Sequence, residues 1–313
     1  MDIVQLFCDV DDFCQWFLPR WQRYQLTDGG HKRLRQGQLS LSEVMTLVIL
    51  FHHSRYRDFK SFYLHHVWLH LRAEFPVLVS YNRFVELMGG ALIPLTSFLL
   101  TRRGPVTGIS FIDSTPLAVC HNRRIFSHKV FKDIAQRGKN SVGWFYGFKV
   151  HLIINEQGDL LAFAITAGNV DDRVPVPDMT THLFGKLVGD RGYISWKLLE
   201  RLLNQGVQLV TSIKKNMKNR LMPVVDKILL RKRSISETVN DQLKNISQIE
   251  HTRHRSVPNF LVNLIAGLIA YTYQAKKPSL KLTEKEVNPL FQLAKEDALV
   301  LPGAAQAGPT LVF

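Results

Sequence analysis

The spacing of apolar residues changes near residue 105. Before that point they recur at three- and four-residue intervals, as on helices; after it they come in short β-branched and aromatic runs. Leu41 opens an apolar run to Phe51, and Ser40 with Glu43 has the Ser-x-x-Glu pattern of a capping box. A polar, arginine-bearing break spans His52 to Asp58, after which Phe59, Phe62, Tyr63, His66 and Val67 return to helical spacing. Two helices across such a break fit a helix-turn-helix and an ordinary helical hairpin equally well. Beyond residue 105 the pattern predicts strands at Ile109–Thr115, Trp144–Asn155 and Leu160–Ala167, the last two joined by the turn residues Glu156-Gln157-Gly158-Asp159. A helix over 174–184, a strand through Leu187-Val188, a helix from Trp196 to Leu203 and a strand from Val207 to Ile213 follow. A long helix is expected from Pro223 to Ile246. The order β-β-β-α-β-α-β-α predicts a mixed α/β sheet with an early antiparallel hairpin.

Three parts result: a helical, DNA-binding region over 1–100, an α/β domain over 105–278, and a C-terminal tail over 279–313. The tail is expected to be disordered, because Leu301 to Pro309 is low in complexity. The most apolar stretch, Phe260 to Tyr273, contains Asn263 and is too short to span a bilayer, so it reads as a buried helix.

Charge narrows the partners. The chain has 313 residues, 46% of them apolar, and its 40 Lys and Arg outnumber 26 Asp and Glu for a net charge of +14. Such a surplus favours a polyanion, because neutralised phosphates release their counterions. Residues 214–255 hold eleven cations and four acids, a surplus of seven that is half the total. Cys8, Cys14 and Cys120 show neither CxxC spacing nor an even count, which argues against a disulfide framework and a zinc ribbon. The acidic start, with Asp2, Asp9, Asp11 and Asp12, is unlike a signal peptide, so a cytoplasmic protein is expected.

Three carboxylates stand out. Asp113 closes the apolar run of ISFIDST, Asp190 closes that of KLVGDRGY, and Glu237 follows the basic Arg231-Lys232-Arg233. On one continuous helix, Leu230, Arg233, Glu237 and Lys244 would share a stripe, setting a carboxylate between two cations. Taken alone, that stripe is a solvated charged face. Asp171 and Asp172 suit turn chemistry after Asn169. Asp133 balances a basic segment. His65, His66 and His70 suit packing or solvent, and His251 and His254 lack the cysteine pair of a zinc site. Gly138 to Gly143 lacks GxxxxGK[ST], so no nucleotide cofactor is expected.

Together these residues resemble the triad of bacterial insertion-sequence DDE transposases, which have a ribonuclease H-like fold. One large group of them carries Y-x2-R-x3-E-x6-K around the glutamate. Arg233, Glu237 and Lys244 match it, while Leu230 stands at the tyrosine position. The segments Gly147 to His151 and Ala167 to Asp172 are also similar to that family's, and the resemblance runs from about residue 40 to about residue 280. It implies that Asp113, Asp190 and Glu237 hold two Mg²⁺ ions, or Mn²⁺ as a substitute, for in-line displacement at phosphorus. Asp113 would bridge the ions. Arg233 and Lys244 would bind phosphates near the cut, with Lys214, Lys215 and Lys218 positioning DNA. The implied partners are double-stranded DNA, as element ends and target, and a second copy of the chain on that DNA, with no membrane involved. A basic DNA-binding regulator, a nuclease without strand transfer and a decayed transposase are the alternatives.

Overall fold

The structure, a computed structural model, describes residues 2–27, 37–212, 222–250 and 254–280. In chain order come helices α1 (Ile3–Thr27), α2 (Leu41–Phe51), α3 (Phe59–Ser61), α4 (Trp68–His70), α5 (Tyr81–Met88) and α6 (Leu92–Thr101), with a π-helical turn, Phe62–Val67, between α3 and α4. Strands β1 (Ile109–Cys120), β2 (Gln136–Lys139), β3 (Trp144–Asn155) and β4 (Leu160–Ala167) follow. Then come α7 (Val176–Met179), β5 (Gly185–Gly189), α8 (Trp196–Asn204), β6 (Val207–Thr211), α9 (Val224–Arg231), α10 (Ser234–Asn245) and α11 (Val257–Thr272).

The described residues form two compact units, those within Met1–Arg102 and Asp241–Ala275 and those within Arg103–Asn240 and Lys276–Phe313. In the helical unit, Ser40 caps α2 as its sequence requires. Its hydroxyl accepts from Glu43 N–H, and the Glu43 carboxylate accepts from Ser40 N–H at 2.7 Å. α11 is buried on every side from Val262 to Thr272, against α2 and α6. That burial corrects the expected boundary at 278: residues 241–275 join the N-terminal helices, because α11 covers apolar surface there. The stretch Tyr81–Thr101 has a mean hydropathy of 1.6 and is long and apolar enough to cross a membrane. Phe84, Met88, Leu95, Phe98 and Leu99 of this stretch nevertheless lie in the core.

The second unit is a mixed sheet of order β2-β3-β1-β5-β6, with β4 also on β3. β1, β3 and β4 are antiparallel in turn, and β1, β5 and β6 are parallel. β2 and β4 share one edge of β3, pairing with Trp144–Gly147 and Phe148–Ile154 in succession. This is the mixed α/β arrangement expected, a sheet flanked by helices and preceded by a helical region. One face buries Ile112, Ile153, Leu187 and Leu209 with Leu198 and Leu202 of α8.

Local departures have physical causes. β1 runs on to Cys120, because β3 offers it a long antiparallel partner. The helix over 174–184 shrinks to α7, which ends at Thr180, whose hydroxyl bonds back to the Val176 carbonyl at 3.0 Å. The long helix expected from Pro223 to Ile246 is two helices. Between them the amides of Ile235 and Ser236 reach back only three residues, to the carbonyls of Lys232 and Arg233, and the Ser236 hydroxyl joins the Arg233 carbonyl. Leu230 therefore belongs to α9 and does not share a helical stripe with Glu237.

Candidate active site

β1 is the middle strand, and it delivers Asp113 beside the end of β5. The parallel register sets Phe111 opposite Val188. Two residues further along β1 stands Asp113, and Asp190 directly follows the last residue of β5, near enough for its charge to act on Asp113. Asp190 is fixed by the turn it opens, Arg191–Tyr193, where its carboxylate accepts Gly192 N–H at 2.8 Å. A Cβ at Gly192 would lie 2.9 Å from that oxygen, which suits the Asp-Arg-Gly sequence to this turn.

Burial pushes the Asp113 carboxyl up to about 6, and the nearby Asp190 charge adds to the shift. Ser114 N–H donates to Asp113 at 2.9 Å and the buried Asn240 amide donates at 3.1 Å; with the Arg233 guanidinium, both donors favour the ionised form. Tyr193 is buried nearby, in the core that holds Ile112. Its phenol is pushed well above the ordinary range by burial, then by Asp113, Asp172 and Asp190. A compact anionic spot therefore sits where β5 ends beside the body of β1. Its donors are carboxylate oxygens, the ligand type that suits Mg²⁺ or Mn²⁺.

Glu237 is not brought into this pair. It is exposed on α10, where its carboxylate takes Arg233 Nη2 at 2.9 Å, an i,i+4 pair. Among the described residues no group of three or more His, Cys, Asp or Glu is placed to hold a metal ion. Arg233 thus serves Glu237 and, through its charge, Asp113, while Lys244 pairs with Glu250 at 3.1 Å. Lys214, Lys215 and Lys218 lie outside the described residues, as do His251 and the tail from residue 281.

Asn240 was not singled out in the sequence. It stands three residues past Glu237, and nothing in a polar helix face marks one amide as the donor to a strand 127 residues away. Asp172 departs from the turn role expected of it. Asp171 does perform turn chemistry, accepting the backbone and guanidinium of Arg173, which hold its carboxyl down to about 2. Asp172 instead pairs with Lys149 at 2.9 Å, and Lys149 also donates to the Val170 carbonyl at 2.9 Å. The segments Gly147–His151 and Ala167–Asp172 are therefore joined by one lysine. Beside it the fully buried His151 is pushed down to about 4 by burial and shares a hydrogen bond with Thr166.

Residues 103–257 match a family described as "Transposase DDE domain", a span that includes Asp113, Asp190 and Glu237. No curated protein matches the chain. Among solved structures, the intasome of simian T-cell lymphotropic virus in complex with PP2A regulatory subunit B56 gamma is 14% identical. That match covers 72% of this chain and 74% of the other, with a TM-score of 0.22, an overlap too low to bear on fold or function.

Proposed function

We propose that this protein is an insertion-sequence transposase of the Y-R-E-K type, which cuts DNA at the ends of its element and joins the freed ends to target DNA. The observation that carries this reading is the pair formed by Asp113, within β1, and Asp190, just past the end of the parallel neighbour β5, inside the span that matches the transposase family. Asp113 and Asp190, with Glu237 once it leaves Arg233, are the residues that would hold Mg²⁺ or Mn²⁺. Such ions would supply Lewis-acid activation of an oxygen nucleophile and charge stabilisation at phosphorus. The chemistry is two displacements. In the first, a water oxygen bonds to phosphorus as the bond to the 3′ oxygen breaks, leaving a 3′-OH at the element end. In the second, that 3′-OH bonds to a target phosphorus and expels the target's own 3′ oxygen.

The chain's own groups prepare this site. Asn240 and Ser114 hold the Asp113 carboxylate in one orientation, and the turn at Gly192 holds Asp190. Arg233 would exchange the Glu237 carboxylate for a phosphate oxygen on DNA binding, and Lys244 would be a second phosphate-binding cation. Lys214, Lys215 and Lys218 add positioning charge. Two element ends need two such sites, so a homodimer on DNA is the working assembly.

The test is cleavage of a labelled duplex carrying the element end, with Mg²⁺ or Mn²⁺, by wild type, Asp113→Ala and Asp190→Ala. Metal-dependent nicking by wild type alone supports the reading. Equal binding by all three with no cutting favours a regulator or a decayed enzyme. A pre-cleaved 3′-OH substrate that yields no joined product leaves a nuclease.

A further inference from the structure

Between β1 and β3 the chain makes an insert, residues 121–143, with six cations (Arg123, Arg124, Lys129, Lys132, Arg137 and Lys139) against the single acid Asp133. Strand β2 lies in this insert and turns one face outward. Arg137 and Lys139 are exposed, whereas Gly138 between them is buried, since a Cβ there would lie 2.3 Å from the Gly168 carbonyl and 2.5 Å from the Phe145 ring. Trp144 stands directly opposite Lys139 in the β2–β3 ladder and is 61% exposed, with the lysine Nζ 5.6 Å from its ring centre. Phe126 is 93% exposed, and Arg137 lies 5.8 Å from its ring centre. The Asn122 amide donates to the Trp144 carbonyl at 2.7 Å, tying the turn Asn122–Ser127 that carries Phe126 to the start of β3.

Two exposed aromatic rings, each with a cation near its face, are thus carried by the β2–β3 hairpin and by the turn tied to it. Cations alone would serve a duplex, whose bases are already stacked on one another. Exposed rings gain only where a base offers a free face, and that occurs where strands are unpaired. We propose that this face binds an unpaired DNA strand, with Trp144 and Phe126 stacking bases and Arg137 and Lys139 holding the intervening phosphates. The assignment rests on the DNA-processing reading above and adds to it a surface and a strand state.

The experiment compares binding of a labelled oligothymidylate of about 20 nucleotides with binding of a duplex of the same length, by fluorescence anisotropy at fixed salt. Wild type, the double variant Phe126→Ala/Trp144→Ala and the ring-keeping Phe126→Tyr/Trp144→Phe are measured. Each preparation is also assayed for metal-dependent nicking of the element end. Loss of single-strand affinity by about tenfold or more in the alanine variant is expected, with duplex affinity within about threefold of wild type and the ring-keeping variant unaffected. Single-strand binding equal to wild type in the alanine variant overturns the proposal, as does an equal loss on both DNAs. Tighter binding of oligouridylate than of oligothymidylate overturns it in favour of RNA. These outcomes leave the cleavage reading standing as long as wild type nicks the duplex; failure of wild type to bind either DNA removes both.

Discussion

The amide of Asn240 donates to Asp113 from a buried position on α10, so a hydrogen bond to a charge, rather than Coulomb contact alone, sets that carboxylate's orientation. Replacing Asn240 with Leu removes a donor that favours ionisation. The Asp113 pKa is then expected to rise above about 6, and the acid limb of the cleavage pH profile to move upward with it. Thermal unfolding of Asn240→Leu should show a loss of about 1.5–3 kcal/mol at neutral pH; an unchanged profile and melting point would remove Asn240 from the site. Another buried group acts in the helical unit. His52 is pushed down to about 4 by burial, its Nδ1 donating to the Ser247 carbonyl. The unfolded chain protonates His52 near 6.5 and the folded one only near 4. Stability is therefore full above pH 6.5 and falls as pH drops towards 4, by about 2 kcal/mol at pH 5 from this group. Chemical denaturation at pH 7.5 and 5 should show that loss, and His52→Asn should flatten it. Asp113 and Asp190 were legible in the sequence, since each ends an apolar run. The Lys149–Asp172 pair was not, because Asp172 shares its turn with Asp171, and only the fold separates their roles.

At the scale of elements, β1 and β3 pair with Gly147 opposite Ala118. A Cβ on Gly147 would lie 2.0 Å from the Leu117 carbonyl oxygen, and backbone cannot yield as a flexible side chain does. Gly147→Ala should therefore cost about 1–3 kcal/mol or more, read as a fall in the urea midpoint, with nicking reduced because β1 carries Asp113. A variant as stable as wild type would show that the strands can part at no cost. The β3–β4 hairpin was legible to the residue, because long β-branched runs flank a turn whose Gly158 takes a φ of 75°. β2 was not legible. Its four residues, Gln-Arg-Gly-Lys, hold no apolar side chain, and pairing with β3 alone makes them a strand. The break between α9 and α10 was also hidden, since polar residues there satisfy helical periodicity whether or not the backbone bonds continue.

For the whole molecule, the decisive fact is that the helical unit is discontinuous. The helices before residue 102 and α11 bury one apolar set, including Leu47, Leu95, Leu264 and Leu268, all completely inaccessible to water. Each such side chain contributes about 1.5–3 kcal/mol by leaving water. Truncation after residue 256 is therefore expected to abolish cooperative unfolding of the helical unit, while near-ultraviolet circular dichroism should retain the signal of the sheet unit's aromatic residues. If the truncated chain still melts in two transitions, α11 is dispensable to that core. The helical character of the first hundred residues was legible from periodicity. The return of 241–275 was not, because an apolar helix does not announce which earlier surface it will cover.

That discontinuity also has a consequence in time. A ribosome that has released α6 must add the whole of residues 103–256 before α11 begins to emerge. At about 5–20 residues per second the interval is roughly 8–30 s. The sheet unit can fold during it, whereas α2 and α6 wait with their apolar faces uncovered. A nascent chain stalled in that window is the species a holdase chaperone would be expected to capture, and release would follow the appearance of α11 rather than completion of the sheet.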